Sequence, residues 1–258
     1  MPKQVSGAAA TIAGAARDDG LARSVRLFRA FRREQTDPDL FYGSLAEDSA
    51  RQVRRYHDLH GALLLDVGGG PGYFADAFEA AGARYVALDA DAGEMALHGR
   101  TPGPRTIQGS GMALPVRTGL VDVCYSSNVL EHVSDPWRMA DEMVRVTRPG
   151  GTVFLSFTLW WGPWGGHETA PWHYLGGEYA ARRYAHRHGH EPKNRFGSGL
   201  FALTAAAALR WASGCRDAEL AAALPRYLPV WAAPVLRVPL MREVVTWNLL
   251  LVMRKSDS

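Results

Sequence analysis

The run Leu63-Leu64-Leu65-Asp66-Val67-Gly68-Gly69-Gly70-Pro71-Gly72-Tyr73-Phe74 constrains this chain more than any other stretch, because it joins an apolar strand to a glycine loop and then to a helix. Consecutive leucines suit a strand buried on both faces, and glycines at 68, 70 and 72 let the backbone turn tightly and approach a bound ligand. The loop therefore fits a nucleoside cofactor. A dinucleotide fingerprint G-x-G-x-x-G, counted from Gly68, would need glycine at position 73, where this chain has tyrosine.

Glycine-rich turns also close ordinary strand-helix junctions, so a second signal is needed. Arg84-Tyr85-Val86-Ala87-Leu88-Asp89 supplies it, as another short apolar strand ending in a carboxylate about 20 residues beyond Asp66. An acidic residue at that spacing can accept hydrogen bonds from both hydroxyls of a ribose. The competing role for Asp89, capping the next helix, fits Asp91 better.

Among 258 residues, 47% are hydrophobic and 21% charged, the balance of a globular chain with one substantial core. The formal net charge of +3 comes from dispersed arginines with no basic stripe, so no nucleic-acid partner is expected. Cys124 and Cys215 form no bridge framework or C-x-x-C pair, which favours a reducing compartment and a cytoplasmic protein. Residues 1–20 read as a disordered lead, their alanine-glycine stretch lacking the leucine-rich centre of a secretory signal. The apolar stretch 220–240 is broken by Pro225, Pro229, Pro234 and Pro239, so no stable membrane insertion is expected.

Residues 21–33 place Leu21, Val25, Leu27, Phe28 and Phe31 at helical spacing with arginines between, and Asp37-Pro38 stops that helix and permits another. A helical arm over 21–60 precedes the sheet, with peripheral membrane contact through its arginines as an alternative role. From residue 61 onward strands and helices alternate: strand 63–67, helix 72–81, strand 84–88, helix 91–98, strands 105–108 and 121–126, helix 136–146 and strand 152–158. That order implies an α/β fold with a parallel sheet. Thr204 caps a helix over 205–212, 219–224 is a further strand, and 244–253 closes the chain as an antiparallel strand at the sheet edge.

Five segments in this order resemble the class I S-adenosylmethionine (SAM)-dependent methyltransferases, especially the type 11 group. They are Leu65-Asp66-Val67-Gly68-Gly69-Gly70-Pro71-Gly72, Leu88-Asp89, Ala113-Leu114-Pro115, Ser127-Asn128-Val129-Leu130-Glu131-His132-Val133-Ser134-Asp135-Pro136 and Arg148-Pro149-Gly150-Gly151. The resemblance implies a Rossmann-like sheet of seven mostly parallel strands, helices on both faces, an antiparallel last strand, and SAM as cofactor. It also implies that Gly68, Gly69, Gly70 and Gly72 pass under the methionine and ribose, with Asp66 at the base of the loop. Asp89 would hold the ribose hydroxyls, Ala90 would lie beside the adenine, and Asn128 near the methionine end. Many relatives carry aspartate where this chain has Ser110. Adenine recognition is then expected to lean on Ser110 and on the backbone of Gly111 and Met112, unless Ser110 only shapes its turn.

Methyl transfer needs the acceptor atom held in line, and a hydroxyl acceptor also needs a base. His132 follows the fourth strand, where ligands gather in open α/β sheets. His167, Glu168 and His173 lie in an aromatic insertion over about 159–200, where Trp160, Trp161, Trp164, Trp172 and Tyr174 would wall an acceptor site. His186, His188 and His190 alternate like zinc ligands, but Arg182, Arg183 and Arg187 around them disfavour a metal, and none is expected. The expected reaction is methyl transfer to a small-molecule or glycolipid acceptor at oxygen. A non-catalytic SAM-binding sensor or partner subunit and a nicotinamide-dependent oxidoreductase stand as alternatives.

Overall fold

The computed structural model describes residues 20–34, 36–100 and 103–257; the expected N-terminal lead, apart from Gly20, lies outside them. Two helices, α1 (Leu21–Phe31) and α2 (Pro38–Val53), precede the sheet. Asp37 caps α2 by accepting from the Leu40 N–H, with Pro38 at the first helical position. Next come β1 (Leu63–Val67), α3 (Ala75–Ala80), β2 (Arg84–Asp89), α4 (Ala92–Met95), β3 (Thr106–Gln108), β4 (Val121–Ser127), α5 (Pro136–Val146) and β5 (Thr147–Thr158). The chain continues through α6 (Gly177–His188), α7 (Ala205–Gly214), β6 (Ala218–Pro225), α8 (Met241–Val244) and β7 (Asn248–Lys255).

The seven strands lie in the order β3-β2-β1-β4-β5-β7-β6, with β7 antiparallel to both neighbours and the other pairings parallel. Strand order reverses between β1 and β4, which puts the switch point beside the glycine loop. Side chains alternate across the sheet. Leu65, Val67 and Cys124 join Met139, Met143 and Val144 of α5 and Ala205 and Ala208 of α7 on one face. Leu64, Val123 and Tyr125 join Phe78 of α3 and Phe41, Leu45 and Val53 of α2 on the other.

Several boundaries differ from expectation for local reasons. The helix expected from residue 72 starts at Ala75, because Gly72 sits at φ +78° and cannot continue a right-handed helix. The helix expected over 91–98 shortens to α4 followed by a 3-10 turn at Leu97–Gly99. β5 begins at Thr147 rather than 152, with Arg148-Pro149-Gly150-Gly151 taken up as an irregularity against Val121 and Val123. The last strand lies inside the sheet, not at its edge. Asn248 to Met253 are buried on both faces, and β6 covers the side that would otherwise be open.

Candidate functional site

The glycine loop leaves β1 and hangs from β2, with the N–H groups of Gly68 and Gly69 both donating to the Leu88 carbonyl at 2.7 and 3.1 Å. Gly68 has φ +80°, and a Cβ there would lie 2.4 Å from Val129 Cγ2, so the segment leaving β4 packs directly on the loop. Gly70 has φ +48°, and a Cβ there would meet open space, the Glu94 carbonyl oxygen being nearest at 3.9 Å. The loop is thus packed against protein on one side and bare on the other, which is the cradle a close-lying nucleoside needs.

Asp89 closes the cradle. Its Oδ2 accepts from the Gly70 N–H and its Oδ1 from the Asp91 N–H, both at 3.0 Å, and each oxygen keeps a second lone pair for a ligand hydroxyl. Ala90 beside it is exposed. From the arm, Tyr42 stacks on Tyr73 with ring centroids 4.6 Å apart, and the Arg100 guanidinium covers the Tyr73 ring at 4.4 Å. The arm therefore packs beside the end of the glycine loop.

Asp66 lies at the base of the loop, shut away from water, and accepts the Tyr85 hydroxyl at 2.6 Å. Burial pushes its carboxyl up to about 7, against the Tyr85 bond and with help from the Asp89 charge. A raised folded-state pKa stabilises the fold below the unfolded value of 3.8, and that contribution is lost as pH rises through about 7. Wild-type stability is therefore expected to fall, relative to Asp66→Asn, by on the order of a few kcal/mol between pH 4 and pH 7.5. Parallel denaturant titrations of the two proteins that keep a constant difference across this range would refute it.

The turn after β3 carries Ser110, Gly111 and Met112. Ser110 Oγ accepts from the Met112 N–H at 3.2 Å, and Arg138 Nε donates to the Met112 carbonyl at 2.9 Å. The Met112 N–H is thus spent within the turn, while the Ser110 hydroxyl proton and a second lone pair on the Met112 carbonyl remain. Gly111 fits tightly, since a Cβ there would lie 3.0 Å from Met139 Sδ.

At the end of β4, Asn128 adopts φ +57°; its Oδ1 accepts from Asn248 Nδ2 at 2.6 Å and its Nδ2 donates to Tyr227 Oη at 3.3 Å. Tyr227 and Asn248 were not among the sequence candidates. They reach Asn128 because β7 is inserted next to β5, which no local pattern announces. Beside them Arg226, fully buried, donates to Ser127 Oγ, Ser156 Oγ, Ser49 Oγ and Tyr125 Oη.

Of the proposed bases, His132 and His167 come together, their rings edge to face with centroids 4.9 Å apart. His132 Nδ1 lies 2.7 Å from the Gly199 carbonyl oxygen, an acceptor, so Nδ1 carries a proton, and in the neutral ring the lone pair is on Nε2. Burial lowers the His167 pKa and keeps the ring neutral. Beside them is Glu131, buried, whose Oε1 accepts from the Thr158 N–H at 3.0 Å. Its position next to His132 in the sequence was the one available signal.

The other two candidates bond and pack within the aromatic insertion. Both carboxylate oxygens of Glu168 accept from Asn194, from the backbone N–H at 2.7 Å and from Nδ2 at 2.9 Å. Burial raises its pKa, but these bonds outweigh that and hold it below the usual carboxylate range. His173 is fully buried under Gly166, with its pKa lowered by burial, and packs against Trp160.

The five aromatic candidates do not form one wall. Trp160 is buried against His173 and Phe196, and Trp164 packs on Phe28, Phe31 and Trp247. Trp161 and Tyr174 stack on each other at the surface, and Trp172 carries the Arg183 guanidinium 3.9 Å above its ring. His186 and His188 lie in the last turn of α6, which Gly189 ends in a left-handed conformation, with His190 just beyond.

Residues 65–155 match the family model described as a methyltransferase domain. An uncharacterized methyltransferase of Mycolicibacterium gilvum (strain PYR-GCK) is 53% identical over 252 residues, covering 92% of this chain and 95% of that protein. The chain belongs to the SAM-dependent methyltransferases. Its fold is also that of an S-adenosylmethionine-dependent methyltransferase from Mesorhizobium loti, with TM-score 0.53 and 20% identity over 80% of this chain and 96% of that one. A Haloferax volcanii methyltransferase solved in complex with the Trm112 methyltransferase activator gives 0.54 and 16%, over 90% and 97%. Membership makes SAM the methyl donor of this methyltransferase and sets aside the nicotinamide alternative. Among the described residues, no helix is long and apolar enough to cross a membrane.

Proposed function

We propose that this methyltransferase acts in the cytoplasm on a hydroxyl oxygen of a small-molecule or lipid-linked acceptor, with the proton leaving toward the cluster of His132 and His167. The observation that carries this reading is the pairing of those imidazoles, His132 with a bare Nε2 and His167 held neutral, just beyond Asn128. SAM brings a methyl group already activated by its positive sulfur. The protein's part is position: the glycine loop and Asp89 fix the nucleoside, Asn128 fixes the methionine end, and the acceptor is aligned beyond β4.

The exposed Trp161, Tyr174 and Trp172 suit stacking on a sugar or ring, and the Arg183 guanidinium suits an acidic group on the acceptor. Exposed Val230, Trp231, Leu240 and Met241 suit a lipid-like tail. Calorimetry with SAM, S-adenosylhomocysteine and NAD is expected to give micromolar binding of the first two and none of the third. Labelled methyl transfer is then expected to sugar or lipid hydroxyls. Transfer confined to carbon or nitrogen acceptors would overturn the oxygen reading, and SAM binding without transfer to any acceptor class would favour the sensor.

A further inference from the structure

Three donor groups meet where the chain leaves β4: a carboxylate oxygen of Glu131 and one ring nitrogen each of His132 and His167, all within 4.8 Å of one another. We propose that these residues form a binding site for a first-row divalent cation of the zinc type. Three atoms so spaced lie no more than about 2.8 Å from a common centre, against metal-ligand distances of about 2.0–2.2 Å. Small side-chain rotations therefore close the site.

What separates this cluster from a chance grouping is that two of its buried polar atoms, Glu131 Oε2 and His167 Nδ1, lack hydrogen-bond partners among the described residues. Glu131 is 1% exposed, its Oε1 is engaged with the Thr158 N–H, and its Oε2 makes no hydrogen bond among the described residues. The same holds for Nδ1 of His167. A buried carboxylate oxygen and a buried imidazole nitrogen left bare are costly, and a shared cation offsets both costs at once. His132 is prepared in the complementary way. Its Nδ1–H donates to the Gly199 carbonyl, the outer contact that fixes a ligating histidine's ring and leaves Nε2 for a metal.

Two imidazoles and a carboxylate are a borderline donor set that suits zinc, iron or cobalt over magnesium or calcium, which prefer oxygen ligands. Three protein ligands also leave a coordination position for an outside oxygen. The site rests on the proposed placing of the acceptor beside these histidines and modifies their part: with an ion bound their free lone pairs are taken up, and the acceptor hydroxyl would meet the open position instead, its proton made more acidic and leaving to water rather than to a ring nitrogen. Its binding test stands apart from transfer, so one reading can fail without the other.

The test is titration of the chelator-treated full-length protein with Zn2+ against a competing chromophoric chelator, and with Co2+ read by its visible absorption. One ion per chain is expected, with Mg2+ and Ca2+ not competing. Glu131→Gln, His132→Gln and His167→Asn are each expected to weaken Zn2+ binding by at least about 100-fold, more than loss of an outer partner costs. His167→Asn keeps a side chain that tolerates the φ of +49° at this position, so it is the variant least prone to misfolding. His186→Ala is expected to bind as the wild type does. No stoichiometric binding to the folded wild-type protein, binding untouched by the three substitutions, or binding lost only with His186 would each overturn the site.

Discussion

Asp89→Ala is expected to lower SAM affinity by at least about 100-fold while the protein stays folded. Charge-assisted hydrogen bonds contribute about 1.5–3 kcal/mol each, and loss of two to the ribose exceeds a factor of 100. The same carboxylate also holds the Gly70 and Asp91 N–H groups, so the alanine variant loosens the loop as well as removing the ribose contact. Asp89→Asn separates these effects: one side-chain oxygen remains to accept, and affinity is expected to fall between the wild-type and alanine values. Gly70→Val is the companion. Its Cβ would meet no protein atom closer than 3.9 Å apart from its chain neighbours, so there is room at Cβ on the bare side of the loop, and a left-handed valine costs the fold at least about 1–2 kcal/mol of strain. Calorimetric titration with circular dichroism as the folding control decides it. SAM affinity retained in both Asp89→Ala and Gly70→Val would sink the assignment of the loop.

Features fixed by neighbouring residues were legible in the sequence. The leucine strand, the glycine loop and the acidic end of β2 stand where their spacing puts them. α5 spans Pro136–Val146 as its Asp135-Pro136 start and apolar period require, and Thr204 caps α7 by accepting from the Ala207 N–H. Those signals are local: a cap, a φ restriction, a run of buried-type side chains. What was not legible depends on pairings between distant segments. Asn248 and Tyr227 meet Asn128 only because β7 enters the sheet between β5 and β6, and the apolar pattern of β7 is equally compatible with an edge. The same is true of the aromatic insertion. Its tryptophans look alike in sequence, yet Trp164 turns toward Phe28 and Phe31 of the arm and Trp161 toward solvent.

The burial of Glu131 and Arg226 is hidden in the sequence for a different reason. Charged residues are expected outside, and burial of either is intelligible only with its partners in view. Arg226 reaches four hydroxyl groups on three separate elements, none near it in the chain. Such a residue cannot be recognised before the sheet is assembled.

That network links the arm to the site by hydrogen bonds, and Asp48→Ala is expected to expose the link through a stability loss of about 3–5 kcal/mol. Arg23 of α1 is 3% exposed and makes a two-pronged pair with Asp48 of α2, Nε to Oδ1 at 2.8 Å and Nη2 to Oδ2 at 2.6 Å. Its Nη1 donates to the Arg226 carbonyl at 2.9 Å, and Arg226 in turn donates to Ser127, the residue before Asn128. Removing the carboxylate leaves the Arg23 charge buried beside a second buried arginine, where repulsion adds to lost solvation. The loss is a large fraction of the 5–15 kcal/mol usual for a folded chain, and corresponds to a melting temperature about 10 °C lower. Asp48→Ala combined with Arg23→Met removes both charges and fills the space, so the double variant is expected to be more stable than Asp48→Ala alone. A detachable arm would predict otherwise: Asp48→Ala would then fray α1 and α2 while leaving the main unfolding transition in place. Denaturant unfolding followed by tryptophan fluorescence, beside limited proteolysis of the arm, distinguishes the two, and an unshifted main transition would refute the coupling.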